Sequence, residues 1–151
     1  MTPSASLLAL AKNNQTIDIV NTLNGEINTL DVTTCVDTDI HFINENTLAY
    51  INENNSLATY NLNLKDVSVI YDLPSKAMVI KSNGRQLAIS VEKRLLLINL
   101  DGSLEHELKG CRGNIMAVCF SFDGERIFAT GDKKIHMWDL SMKKPKSNPI
   151  A

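Results

Sequence analysis

Few side chains in this sequence could do chemistry, and their spacing points away from a catalytic site. His136 stands mid-way through Lys134-Ile135-His136-Met137-Trp138, two residues before the only tryptophan, and strand alternation puts both on one side. A histidine placed this way reads as a packed or surface strand residue rather than a base. His41 and His106 stand in similar strand positions and read the same way. Asp132 and Asp139 bracket the same stretch. A paired-carboxylate site would need them within ~10 Å, and a strand rising ~3.3 Å per residue holds them about twice as far apart. Cys35, Cys111 and Cys119 form neither a CxxC nor an even disulfide set, and no histidine falls at metal-ligand spacing from them. They fit small-hydrophobe roles in a reducing compartment. No Gly-x-Ser-x-Gly, phosphate loop or dinucleotide fingerprint is present. The expectation is no enzyme, no cofactor and no metal.

The bulk numbers suit one folded domain. The chain has 151 residues, 44% hydrophobic and 21% charged, with a net charge of −2. The charge is unevenly spread. Residues 1–75 hold two basic and nine acidic residues, and residues 76–151 hold thirteen basic and eight acidic. This asymmetry points to an acidic or polyanionic partner for the second half. No apolar run approaches the ~20 residues of a membrane span, so no membrane partner is expected. The opening MTPSASLLALAKNN lacks a basic residue ahead of an apolar run about half the length of a signal segment, which predicts an intracellular protein. On that reading Asn-Gln-Thr at 14–16 and Asn-Asn-Ser at 54–56 are turn residues rather than glycosylation acceptors.

The elements that would position these residues emerge from a repeat. DKKIHMWDL at 132–140 has counterparts in EKRLLLINL at 92–100, NNSLATYNL at 54–62 and NQTIDIVNT at 14–22. Each is a polar turn, then a strand, then Asp or Asn. The column at Trp138 holds Ile98, Tyr60 and Val20, and the next holds Asp139, Asn99, Asn61 and Asn21. Asp or Asn there can bond the backbone two residues on and start a turn. FSFDGERIFATG aligns with IKSNGRQLAISV, and Asp123-Gly124, Asn83-Gly84, Asn24-Gly25 and Asp101-Gly102 read as hairpin turns. The unit is four short antiparallel strands in ~40 residues, the signature of a β-propeller blade.

Residues 110–140, GCRGNIMAVCFSFDGERIFATGDKKIHMWDL, resemble a WD-repeat blade: Asp132 stands six residues before Trp138-Asp139, and Thr130 matches the Ser/Thr position. The resemblance implies a polar network of Asp, His, Ser/Thr and Trp inside the blade, with Thr130, Asp132, Trp138 and Asp139 in structural roles. Here Cys111 follows Gly110 where the pattern has histidine, and Phe122 replaces the turn proline, so the bridging member of the network is absent. The resemblance implies an all-β, incomplete propeller over residues 6–151, about three and a half blades of a ring that usually has seven. Its units end near 22, 62, 100 and 140, and residues 141–151 form a basic tail or the start of the next strand. The first unit starts at its second strand and the last stops after its third. Such a set implies a piece of a longer chain, or closure with missing blades, a second copy or another half-propeller.

The family resembled implies scaffolding of other proteins in a complex. Turns between the second and third strands would line one binding face, and those of the last two units are basic: Lys93-Arg94 and Lys133-Lys134, joined by Lys109 and Arg112. That sector would suit an acidic or phosphorylated protein segment, or RNA. Lys143-Lys144-Pro145-Lys146 matches a minimal nuclear-import pattern, leaving the expected location cytoplasmic or nuclear.

Overall fold

Alternating apolar runs of four to seven residues, punctuated by Asn, Asp and Gly, leave the chain no helical period to follow. The computed structural model describes residues 1–35 and 37–150, and among these it holds fifteen strands and no helix. The fold is all-β, and the chain divides into two compact units, Met1–Leu73 and Pro74–Ala151.

In the first unit, β1 (Leu7–Ala11), β2 (Ile17–Asn21) and β3 (Ile27–Leu30) form a three-stranded antiparallel sheet. A second sheet follows from β4 (Ile40–Phe42), β5 (Thr47–Ile51), β6 (Ser56–Asn61) and β7 (Asp66–Asp72), paired in sequence order. Period-two alternation turns Ile17, Ile19, Leu48, Tyr50, Ala58 and Tyr60 into one buried cluster.

The second unit repeats the plan. One sheet comprises β8 (Ala77–Ser82), β9 (Gln86–Val91), β10 (Arg94–Asn99) and β11 (Leu104–Leu108). The other comprises β12 (Ala117–Phe120), β13 (Arg126–Gly131), β14 (Lys134–Asp139) and β15 (Asn148–Pro149). Ala88, Leu95 and Leu97 from the first of these sheets pack with Val118, Ile127, Ala129 and Trp138 from the second. None of the four sheets closes on itself, and each has the blade form of an incomplete propeller. In the last sheet the stretch 141–151, read as a basic tail or the start of the next strand, holds a fourth strand, β15, only two residues long. Pro149 has no N–H for a ladder, which limits it.

The turn chemistry follows the punctuation. Gly25, Gly84, Gly102 and Gly124 all have positive φ. Asn21 and Asn61 accept backbone N–H bonds from Leu23 and Asn63 at 2.9 and 3.0 Å. Asp139 accepts both the N–H and the O–H of Ser141, at 3.0 and 2.6 Å, and so begins the turn towards β15. Asn99 differs: its Oδ1 takes the Gln86 amide instead, and Asp101 caps the turn through Ser103.

Candidate functional site

Gly131 pairs with Lys134, so the hairpin joining β13 to β14 is a two-residue turn of Asp132 and Lys133. Both have positive φ, 51° and 62°, as a type I′ turn requires. That geometry folds the Asp132 carboxylate back over the end of the sheet. Oδ2 accepts the Arg112 backbone N–H at 3.2 Å, and Oδ1 lies 2.9 Å from His136 Nε2. The His136 hydrogen bond is the main reason the Asp132 carboxyl is held below its ordinary value; burial opposes it, and the Arg112 N–H adds to it. On the other side of the ring, His136 Nδ1 is 2.6 Å from Ser147 Oγ. A carboxylate only accepts, so Nε2 donates to Asp132, and in the neutral imidazole Nδ1 then accepts from the Ser147 hydroxyl.

His136 is therefore buried, 2% exposed, and bonded at both nitrogens. It stands where the missing histidine of the glycine-led pattern would have been needed, reached from β14 rather than from the segment before β12. Strand alternation gives its face, shared with Trp138, but not this role. The available signal was its position four residues after Asp132, across a two-residue turn.

Trp138 is fully buried, and its indole N–H donates to the Lys109 carbonyl at 3.0 Å. The His136 and Trp138 rings lie 25° from parallel with centroids 6.0 Å apart. Thr130 lies outside this network. It pairs with Ile135, while Ala129 pairs with His136 and Ile127 with Trp138, so alternation places Thr130 on the opposite face. Its side chain is exposed and has no hydrogen bond among the described residues. The expected Ser/Thr position is thus corrected: a spacing match does not guarantee a face match.

The approach to this hairpin is close. A Cβ on Gly110, at φ +129°, would sit 2.3 Å from the Ser147 Cβ, and one on Gly113 would lie 2.9 Å from the Asp132 N. Cys111 is buried between them in sequence, and burial, with Asp132 nearby, pushes its thiol up to about 11, so it stays neutral. Asp132, His136 and Ser147 have the atom types of a Ser-His-Asp triad. Access separates the arrangement from one: the imidazole is enclosed, and the Ser147 side chain is packed over Gly110.

The segment 109–116 runs from β11 to β12 and ties the β9–β10 hairpin to the β13–β14 hairpin. The Arg112 N–H reaches Asp132, and the Ile115 N–H reaches the Glu92 carbonyl at 2.9 Å. Glu92 and Lys93 form the two-residue turn between β9 and β10, since Val91 pairs with Arg94. The six basic residues separate into two groups. Lys93, Arg112, Lys133 and Lys134 are exposed, and no ion pair engages them among the described residues. Arg94 and Lys109 both engage Glu107, Arg94 by a direct hydrogen bond and Lys109 at 3.7 Å. Glu107 is held below its ordinary value, chiefly by Arg94. Two placements differ from expectation: Arg94 and Lys134 are the first residues of β10 and β14 rather than turn residues.

The last sheet has one open face. Forty residues apart, Ala88, Leu95 and Leu97 correspond to Phe128, Ile135 and Met137. The first three pack against the next sheet; their counterparts face outward. Ala117, Cys119, Phe128, Thr130 and Ile135 line an apolar depression there of about 340 Å³.

Among the described residues no group of three or more His, Cys, Asp or Glu side chains could hold a metal, and no helix is long and apolar enough to cross a membrane. Four meander sheets of a ~40-residue unit, with an Asp-His-Trp network at one hairpin, define a repeat of propeller type. Residues 102–139, the segment from β11 to β14, match the family model for the WD domain, G-beta repeat. A search of curated proteins finds no match to the chain. WD repeats are interaction modules, generally without catalytic function, and they bind other proteins.

Proposed function

We propose that this chain is a non-catalytic scaffold in a multisubunit complex, and that it grips an acidic or phosphorylated protein segment along the basic edge of its second unit. The observation that carries the reading is the segment 109–116. It bonds to the hairpins of two neighbouring sheets and so sets Arg112 beside Lys133 and ties in the Lys93 turn. Four exposed cations, Lys93 and Lys133 on two-residue turns, Lys134 at the start of β14 and Arg112 on the segment that links them, make a pre-organised acceptor for several carboxylates or a phosphate.

RNA is the alternative partner. Single-stranded nucleic acid is usually held by aromatic platforms between the cations, and none of these cation-bearing turns carries an aromatic residue. The open face of the last sheet supplies a second contact, suited to a further sheet from missing blades or another half-propeller. The exposed Lys143, Lys144 and Lys146 leave an import receptor free access, which suits a nuclear location. The test is capture from lysate with K93E/R112E/K133E/K134E beside the unaltered chain. Loss of acidic protein partners supports the reading. Unchanged capture refutes it, and loss of ribonuclease-sensitive material alone moves the assignment to RNA.

A further inference from the structure

Each sheet has two strands paired on one side only, and the edges that come last in the chain are β3, β7, β11 and β15. Such an edge is a template for another strand unless it is short, charged or interrupted by proline. Three of the four are protected in this way. β3 has four residues, β11 carries Glu105 and Glu107 within its five, and β15 has two, one of them Pro149. β7 has seven residues, and between Asp66 and Asp72 it reads Val67-Ser68-Val69-Ile70-Tyr71, with no charge and no proline. Val67 is 42% exposed and Val69 57%. They lie opposite Tyr60 and Ala58, so they extend the apolar face of that sheet outward to its rim. The one irregularity leaves Ile70 out of the pairing, between Val69 and Tyr71, and keeps Asp66 to Val69 in regular register.

We infer that β7 is a docking edge for one extended peptide strand of a partner protein, held by backbone pairing, with β-branched residues meeting Val67 and Val69 and Lys or Arg at its ends. Charge selects this occupant. Asp66 and Asp72 bracket the strand, and the unit that carries it holds two basic residues against nine acidic ones. The same charges disfavour a second copy: two-fold pairing of β7 with itself, centred on Val69, would set Asp66 opposite the other copy's Asp72. This edge is separate from the basic one, and its chemistry is the reverse.

The test uses the full chain and a fluorescein-labelled nonapeptide, KKVTVTVKK, with EEVTVTVEE as its charge-reversed control. Anisotropy should show KKVTVTVKK bound at least 10-fold more tightly than the control. V67K/V69K, at exposed positions and checked for fold by circular dichroism, should weaken it at least 10-fold. At saturation, backbone amides of β7 should exchange more slowly with deuterium. The inference is overturned by no binding of KKVTVTVKK at 1 mM, by equal binding of the control, by unchanged affinity in V67K/V69K, or by β7 amides that keep their exchange rate. A dimer of the free chain that V67K/V69K disperses would assign the edge to a second copy and overturn it equally.

Discussion

Replacing Trp138 tests how the last sheet is held. Trp138 is fully buried, packs with Leu95, Leu97, Ile115, Val118 and Ile127, and gives its indole N–H to the Lys109 carbonyl. In W138F a six-membered ring remains, so the loss is the second ring and the hydrogen bond. The volume removed is roughly 40 Å³, which at ~24 cal/mol per Å³ costs about 1 kcal/mol. The lost hydrogen bond adds about 1 kcal/mol. The expected total is about 2 kcal/mol for W138F, and for W138A about 3–5 kcal/mol. With a urea dependence of ~1–3 kcal/mol per M, W138F should lower the unfolding midpoint by about 1 M. The assay is a urea titration followed by far-UV circular dichroism, because the substitution removes the only tryptophan fluorophore. A W138F midpoint within 0.2 M of the unaltered chain, on the order of the extrapolation error, would refute the packing argument. So would W138A no less stable than W138F.

Acid should weaken the same region. The Asp132 carboxyl is held below its ordinary value of 3.8, so its contribution is complete above that value and is lost as pH falls through the depressed one. H136F, which removes the main cause of the shift, should flatten that acid limb in a pH series of urea midpoints. E107Q should free Arg94 and Lys109 together and raise the salt concentration that elutes the chain from heparin; an unchanged elution point would mean the pair adds nothing to the basic edge. G110A should destabilise the chain by about 1–3 kcal/mol through its positive φ and the contact with Ser147, read from the thermal midpoint. I135K, on the open face of the last sheet, should reduce self-association in sedimentation velocity while leaving the urea midpoint nearly unchanged.

Much of the fold was legible because β-structure writes its period and its turns locally. The repeat, at offsets of 40, 38 and 40 residues, falls on one strand of each sheet (β2, β6, β10 and β14), and Asn or Asp at strand ends marks turns whose side-chain bonds the structure contains. The site was less legible. Thr130 matched by count, yet one residue of register decides the face, and the pairing with Ile135 turned it away from Trp138. His136 reads only as a packed or surface strand residue, and Cys111 leaves the network without its bridging histidine, although a donor can reach the same carboxylate from another strand. Ser147 lies in a stretch that reads as a basic tail or the start of the next strand, and nothing local to it signals a bond to His136 eleven residues earlier. Lys109 and Arg94 belong to the basic sector by sequence, and Glu107 becomes their neighbour only when β10 and β11 pair.

Sequence alone determined the class of unit, its period, its turns and the division of charge, because each depends on residues close together in the chain. The tertiary structure decided which donor satisfies Asp132, which cations remain unpaired, and which edge and face are left open. Those outcomes depend on strand register and on packing between sheets, where a shift of one residue exchanges buried for exposed.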